Sequence, residues 1–156
     1  MKVFISYGSA ADQVTALRLQ ALGAVNGLTV YVPPAYTRQA PFYAIDPESA
    51  QKITEADVML GVVGMEVSTA CWEELRASKA GQRRTIVMAG PQVALQLQPF
   101  FGSELIVVDP ARPDAAEWAM QHLKNVEAGQ PARDAIIALG AVTVGLLLLA
   151  AFAPQD

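Results

Sequence analysis

One cysteine, Cys71, and one histidine, His122, are all that this 156-residue chain has of either residue. A lone cysteine excludes an internal disulfide framework and a four-cysteine metal site. HExxH, EF-hand and Cys/His ligand spacings are absent as well, so no metal and no resident cofactor is expected. Basic residues are few and scattered: 11 Lys and Arg stand against 15 Asp and Glu, with no basic block beyond Arg83-Arg84. Phosphate backbones require a basic surface, so nucleic acid is not an expected partner. Glycine is missing where nucleotide loops need it. The first apolar run leads into Ser6-Tyr7-Gly8-Ser9, neither GxGxxG nor a P-loop, which disfavours ordinary dinucleotide and P-loop sites. That run is also too short for a secretory signal, and charge returns at Asp12, so the main domain is expected in the cytoplasm.

What the chain does have is a stretch of nineteen uncharged residues, 135–153. At helical rise it spans about 28 Å, close to one hydrocarbon core. Arg133 precedes it, consistent with a cytoplasmic flank. Ala141 and Gly145 form a small-xxx-small pair that permits close helix contact. The expected organisation is a domain over 1–128, a linker over 129–134 and an apolar helix over 135–153. That helix is expected to anchor the chain in a membrane by its C-terminus; the alternative is a helix buried in an oligomer.

The domain alternates short apolar runs with helical stripes. Strands are expected over 2–7, 28–32, 58–63, 84–88 and 105–108. The run VMLGVV at 58–63 is continuously apolar, as a strand covered on both faces should be. Helices are expected over 11–25, with an apolar stripe of Val14, Leu17, Leu19, Leu22 and Val25, and over 47–56, 68–80 and about 114–126. Asp46-Pro47 signals a helix start, and Asn26-Gly27 a helix end. Residues 35–45 read as a loop, and 90–101 as irregular or one short helical turn. This order predicts a doubly wound parallel α/β sheet, with ligands beyond the carboxyl ends of the strands.

Those ends are therefore where functional residues are expected. Ser9 and Ser68 read as helix caps, and the backbone donors at the Ser9 helix start also suit an anion. Arg38 stands in a loop with Tyr36, Phe42 and Tyr43, a set able to hold a phosphate and stack a heterocycle, or simply a surface arginine. Glu73 and Glu74 open the third expected helix, close behind the 64–68 mouth. Adjacent helical residues point about 100° apart, so the two cannot share one task. Glu74 falls at the edge of the buried face and Glu73 toward solvent. A half-buried carboxylate at a cleft is a catalytic candidate, although helix-start glutamates also simply favour the dipole. Cys71 has no histidine partner, and His122 sits in the last helix with Trp118 four residues before it.

Taken in order, these segments resemble bacterial Toll/interleukin-1 receptor (TIR) domains over about 2–126. Val3-Phe4-Ile5-Ser6-Tyr7 with Asp12 resembles the first-strand motif. Val30-Tyr31-Val32-Pro33-Pro34 with Thr37-Arg38 resembles the second strand and the loop after it, and 56–63 the third strand. Ser68, Cys71, Glu74 and Leu75 resemble the positions of the catalytic helix. The chain departs from the family in carrying Ala70 before the cysteine and Trp72 after it. The resemblance implies a flavodoxin-like fold with a five-stranded parallel sheet. It implies cleavage of the nicotinamide–ribose bond of NAD⁺, as substrate and not cofactor, in defence against phage. Glu74 would be catalytic, with Phe4, Tyr7, Ser9, Arg38, Tyr43, Ser68 and Trp72 around the substrate. It also implies self-association through the TIR domains, and a sensor protein as a further partner. The other expectations are a non-enzymatic TIR–TIR signalling adaptor and a membrane-disrupting effector.

Overall fold

A computed structural model describes residues 1–38 and 45–129 of the chain. The chain divides into two units, Met1–Met120 and Gln121–Asp156. The sheet and the candidate site lie in the first.

Five strands form one sheet: β1 (Lys2–Tyr7), β2 (Thr29–Tyr31), β3 (Val58–Val63), β4 (Arg84–Ala89) and β5 (Leu105–Val107). All pairings are parallel, and the order is β2-β1-β3-β4-β5. This is a doubly wound sheet of flavodoxin-like order, whose switch point falls between β1 and β3. Every residue of β3 is buried, as its uninterrupted apolar sequence requires of a central strand. The register pairs Ser6 with Gly61 and Tyr7 with Val62, so the carboxyl ends of β1 and β3 finish side by side.

Helices α2 (Pro47–Glu55), α3 (Thr69–Ala80) and α4 (Pro91–Phe101) supply one side of the main core. Ile53, Cys71, Leu75, Val93, Leu97 and Phe101 pack there with Phe4, Met59, Val63, Val87 and Ala89 of the strands. Burying each large aliphatic side chain contributes about 1.5–3 kcal/mol. Asp46 caps α2 through its side chain, with Pro47 in the first turn, as the sequence indicates.

Helix α4 corrects the expectation for 90–101, which is an eleven-residue helix and not an irregular segment. Gly90 and Pro91 start it, and Val93, Ala94, Leu97 and Phe101 recur at helical spacing on its buried face. Pro99 and the interspersed Gln92, Gln96 and Gln98 obscure that stripe in the sequence. Helix α1 (Ala10–Val25) forms where expected but buries a different face. Val14, Leu17 and Val25 of the expected stripe are exposed. Of that stripe Leu19 is buried, and it faces inward together with Ala16 and Gly23. A Cβ on Gly23 would stand 2.3 Å from Val30 Cγ2. Small residues, rather than large ones, thus let α1 approach β2. Residues 35–38, expected as loop, make a 3-10 turn, Ala35–Arg38. The last helix, α5 (Ala115–Glu127), begins in the first unit and continues into the second.

Among the described residues no helix is long and apolar enough to cross a membrane. The apolar run 135–153, and the expected linker beyond Gly129, lie outside the described residues.

Candidate functional site

Helix α3 begins at the mouth of β3. Ser68 caps it, its hydroxyl accepting from the Cys71 amide, which satisfies one of the free donors of the first turn. Cys71, Leu75 and Ser78 then face the sheet. Glu74 lies among them and is itself buried, 3% exposed. Across from it, Ser6 is the penultimate residue of β1. Its hydroxyl donates to Glu74 Oε2 at 2.5 Å, within the short range of a charge-assisted bond. The Ser6 hydroxyl oxygen also lies 3.2 Å from Cys71 Sγ.

The carboxylate has a second partner. Arg38, at the end of the 3-10 turn, donates from Nη1 to Oε2 at 2.8 Å and to Oε1 at 3.1 Å. Its Nη2 donates to the Tyr7 carbonyl at 2.5 Å, and its guanidinium carbon stands 4.0 Å from the centre of the Tyr7 ring. The Tyr7 hydroxyl donates to the Pro33 carbonyl at 3.0 Å, fixing the ring. Arg38 is thus no surface residue: its side chain is 7% exposed, and that of Glu74 is 4%. Glu73, by contrast, is partly exposed and pairs with Arg76.

Burial governs protonation here. Desolvation raises the Glu74 carboxyl above its ordinary value, with the Arg38 charge and the Ser6 hydroxyl pulling back. Cys71 is pushed up to about 12, mainly by desolvation. A thiol held there has almost no thiolate at neutral pH and is not a nucleophile. A buried ion pair is not in itself stabilising, but deleting one partner leaves an uncompensated charge, typically at about 3–5 kcal/mol.

A second carboxylate braces the mouth. Asp12 accepts from the Gly64 amide at 3.0 Å and from the Ser9 hydroxyl at 2.8 Å. It joins the start of α1 to the end of β3. Burial raises its pKa, opposed by those hydrogen bonds. Backbone segments meet closely around it. A Cβ on Gly8 would stand 2.2 Å from the Glu66 carbonyl oxygen, and one on Gly90 2.2 Å from that of Gly64.

Of the residues singled out in the sequence, Tyr7, Arg38 and Glu74 come together. Phe4 lies two residues before Ser6 but is fully buried against Tyr31, ring centres 5.5 Å apart, as part of the core. Ser9 and Ser68 are helix caps. Trp72 packs edge-on against Phe100 at 5.0 Å and alongside Phe101 at 6.2 Å, on the α4 side of α3. Tyr43 lies outside the described residues. Ser6 was not among the candidates, and its place on the face of β1 shared with Phe4 is the pattern that would have found it.

Fold and site together define a doubly wound α/β domain with a buried carboxylate at its switch point. No protein-family model matches the chain, and no curated protein matches it.

Proposed function

We propose that the chain is a TIR-type NAD⁺ nucleosidase, with Glu74 as its catalytic residue. The observation that carries this reading is the position of Glu74: a buried carboxylate beside the carboxyl ends of β1 and β3, where doubly wound sheets bind their ligands. The TIR resemblance of the sequence supplies the reaction. In that reaction nicotinamide leaves as a neutral molecule from a cationic precursor, so no general acid is required. The positive charge passes to the ribose as its bond to nitrogen breaks. One preorganised carboxylate in a site of low dielectric stabilises that charge, and its Oε1, once released by Arg38, accepts from a ribose hydroxyl. Ser6 holds Oε2 in place while this occurs. Water or a second atom of the substrate then takes the anomeric carbon, giving ADP-ribose or a cyclic form of it. Self-association in a membrane would raise the local concentration of the domain.

The test is NAD⁺ consumption by the full chain in liposomes beside Glu74→Gln. The expected loss in kcat is about 10²–10³-fold, the scale of removing one preorganised electrostatic partner. Equal turnover in the two proteins would refute the assignment of Glu74. One observation favours a non-enzymatic adaptor instead: both carboxylate oxygens are already taken by Arg38. Absence of turnover at every protein concentration would select that reading.

A further inference from the structure

We propose that the Arg38 guanidinium occupies a binding site for a planar organic monocation, and competes with such a ligand for it. The acceptors of this site do not depend on Arg38. They are the Glu74 carboxylate on α3, and the backbone carbonyl and ring face of Tyr7 on β1. Each is held by something else. Ser6 fixes Glu74 Oε2, and the Pro33 carbonyl fixes the Tyr7 ring through its hydroxyl. Arg38 arrives from outside the sheet, on the 3-10 turn that follows β2. Its withdrawal would leave the Glu74 carboxylate, the Tyr7 carbonyl and the Tyr7 ring face without the cation they now share.

That combination selects its ligand by chemistry. An aromatic face attracts a flat cation, more strongly where water is excluded. The carboxylate requires positive charge, and the Tyr7 carbonyl requires an N–H donor in the plane of the ring. A guanidinium meets all three conditions, as Arg38 demonstrates. A pyridinium ring bearing a carboxamide meets them equally, with the ring cation on Tyr7 and Glu74 and the amide N–H on the carbonyl. Arg38 therefore acts as a resident competitor. Its bearing on turnover rests on the nucleosidase reading; the binding itself does not.

The experiment is calorimetric titration of the full chain, wild type and Arg38→Ala, with two cation–neutral pairs: N-methylnicotinamide cation against nicotinamide, and methylguanidinium against methylurea. R38A should bind each cation at least about tenfold more tightly than its neutral partner, the scale of one charge-assisted contact. The wild type should bind the cations at least about tenfold more weakly than R38A, and R38A/E74Q should lose the preference for charge. Equal affinity for cation and neutral partner in R38A, or equal cation binding by wild type and R38A, overturns the proposal. If R38A does not fold alone, it is refolded with millimolar methylguanidinium or methylurea. Recovery of the native circular dichroism with the cation only supports the proposal, and recovery with neither or both overturns it. NAD⁺ cleavage by the wild type without cation binding by R38A would remove this inference and leave the nucleosidase reading intact. Cation binding without cleavage would do the reverse.

Discussion

At the scale of single residues, the site turns on the ionisation of Glu74. Desolvation raises its pKa above the ordinary 4.5, more than Arg38 and Ser6 lower it. A carboxyl whose pKa is higher in the folded than in the unfolded chain holds more protons in the native state across that window. Stability therefore falls as pH rises from about the ordinary value to the raised one, and the full cost is present above it. Asp12 is raised in the same direction, so total stability does not isolate Glu74. The difference between wild type and E74Q does, because Asp12 is common to both and glutamine does not titrate. Urea titrations from pH about 4 to about 7 should show the wild type losing stability relative to E74Q as pH rises. A difference that grows in favour of the wild type would mean that the Arg38 charge outweighs burial. The pair itself was not legible in the sequence. Arg38 and Glu74 are 36 residues apart, and a lone arginine after two prolines carries no periodicity to show that it folds inward. The inward place of Glu74 alone was legible, through its position at the edge of the buried face of the helix.

At the scale of elements, close contact between backbone segments shapes the mouth of the sheet. Gly90 has an ordinary extended conformation, with φ −63° and ψ 155°, so conformational freedom does not explain it. Space does: its missing Cβ would meet the Gly64 carbonyl oxygen at 2.2 Å. Backbone cannot move aside as a flexible side chain can. Gly90→Ala should thus part the ends of β3 and β4 and cost about 1–3 kcal/mol. Gly81→Ala is the control, since its nearest obstacle is 3.4 Å away, and it should fall within about 0.5 kcal/mol of wild type. Denaturant midpoints for the two variants decide the matter, and equal midpoints would reject the close-approach account. Most elements were legible because their patterns are strong: VMLGVV for a strand covered on both faces, and Asp46-Pro47 for a helix start. Two were misread for physical reasons. In α1 Leu19 is the one large apolar side chain that is fully buried, beside the small Ala16 and Gly23, so the larger Val14, Leu17 and Val25 drew the stripe onto the exposed face. In α4 a proline inside the helix masked a regular buried stripe.

At the scale of the whole molecule, an α/β domain precedes a nineteen-residue uncharged run, and the two suggest a division of labour. If the domain works only when copies meet, confinement to a surface is a means of control. Tethering replaces the bulk concentration with an effective one that reaches the millimolar range for short linkers. Each copy then encounters another without a gain in intrinsic affinity. On the nucleosidase reading, with the run 135–153 as a membrane anchor, a chain ending at Gly129 should therefore consume NAD⁺ more slowly than the full chain in liposomes at equal total protein. Its turnover per molecule should also rise with its own concentration, whereas turnover of the full chain should follow its density on the vesicles rather than the bulk concentration. Fusing the shortened chain to an unrelated dimeric coiled coil should recover part of the lost activity, because proximity is then supplied by other means. Equal, concentration-independent turnover in both forms would sever the run 135–153 from activation and leave it a matter of location alone. Loss of activity that neither concentration nor the coiled coil restores would make that run part of the active assembly itself.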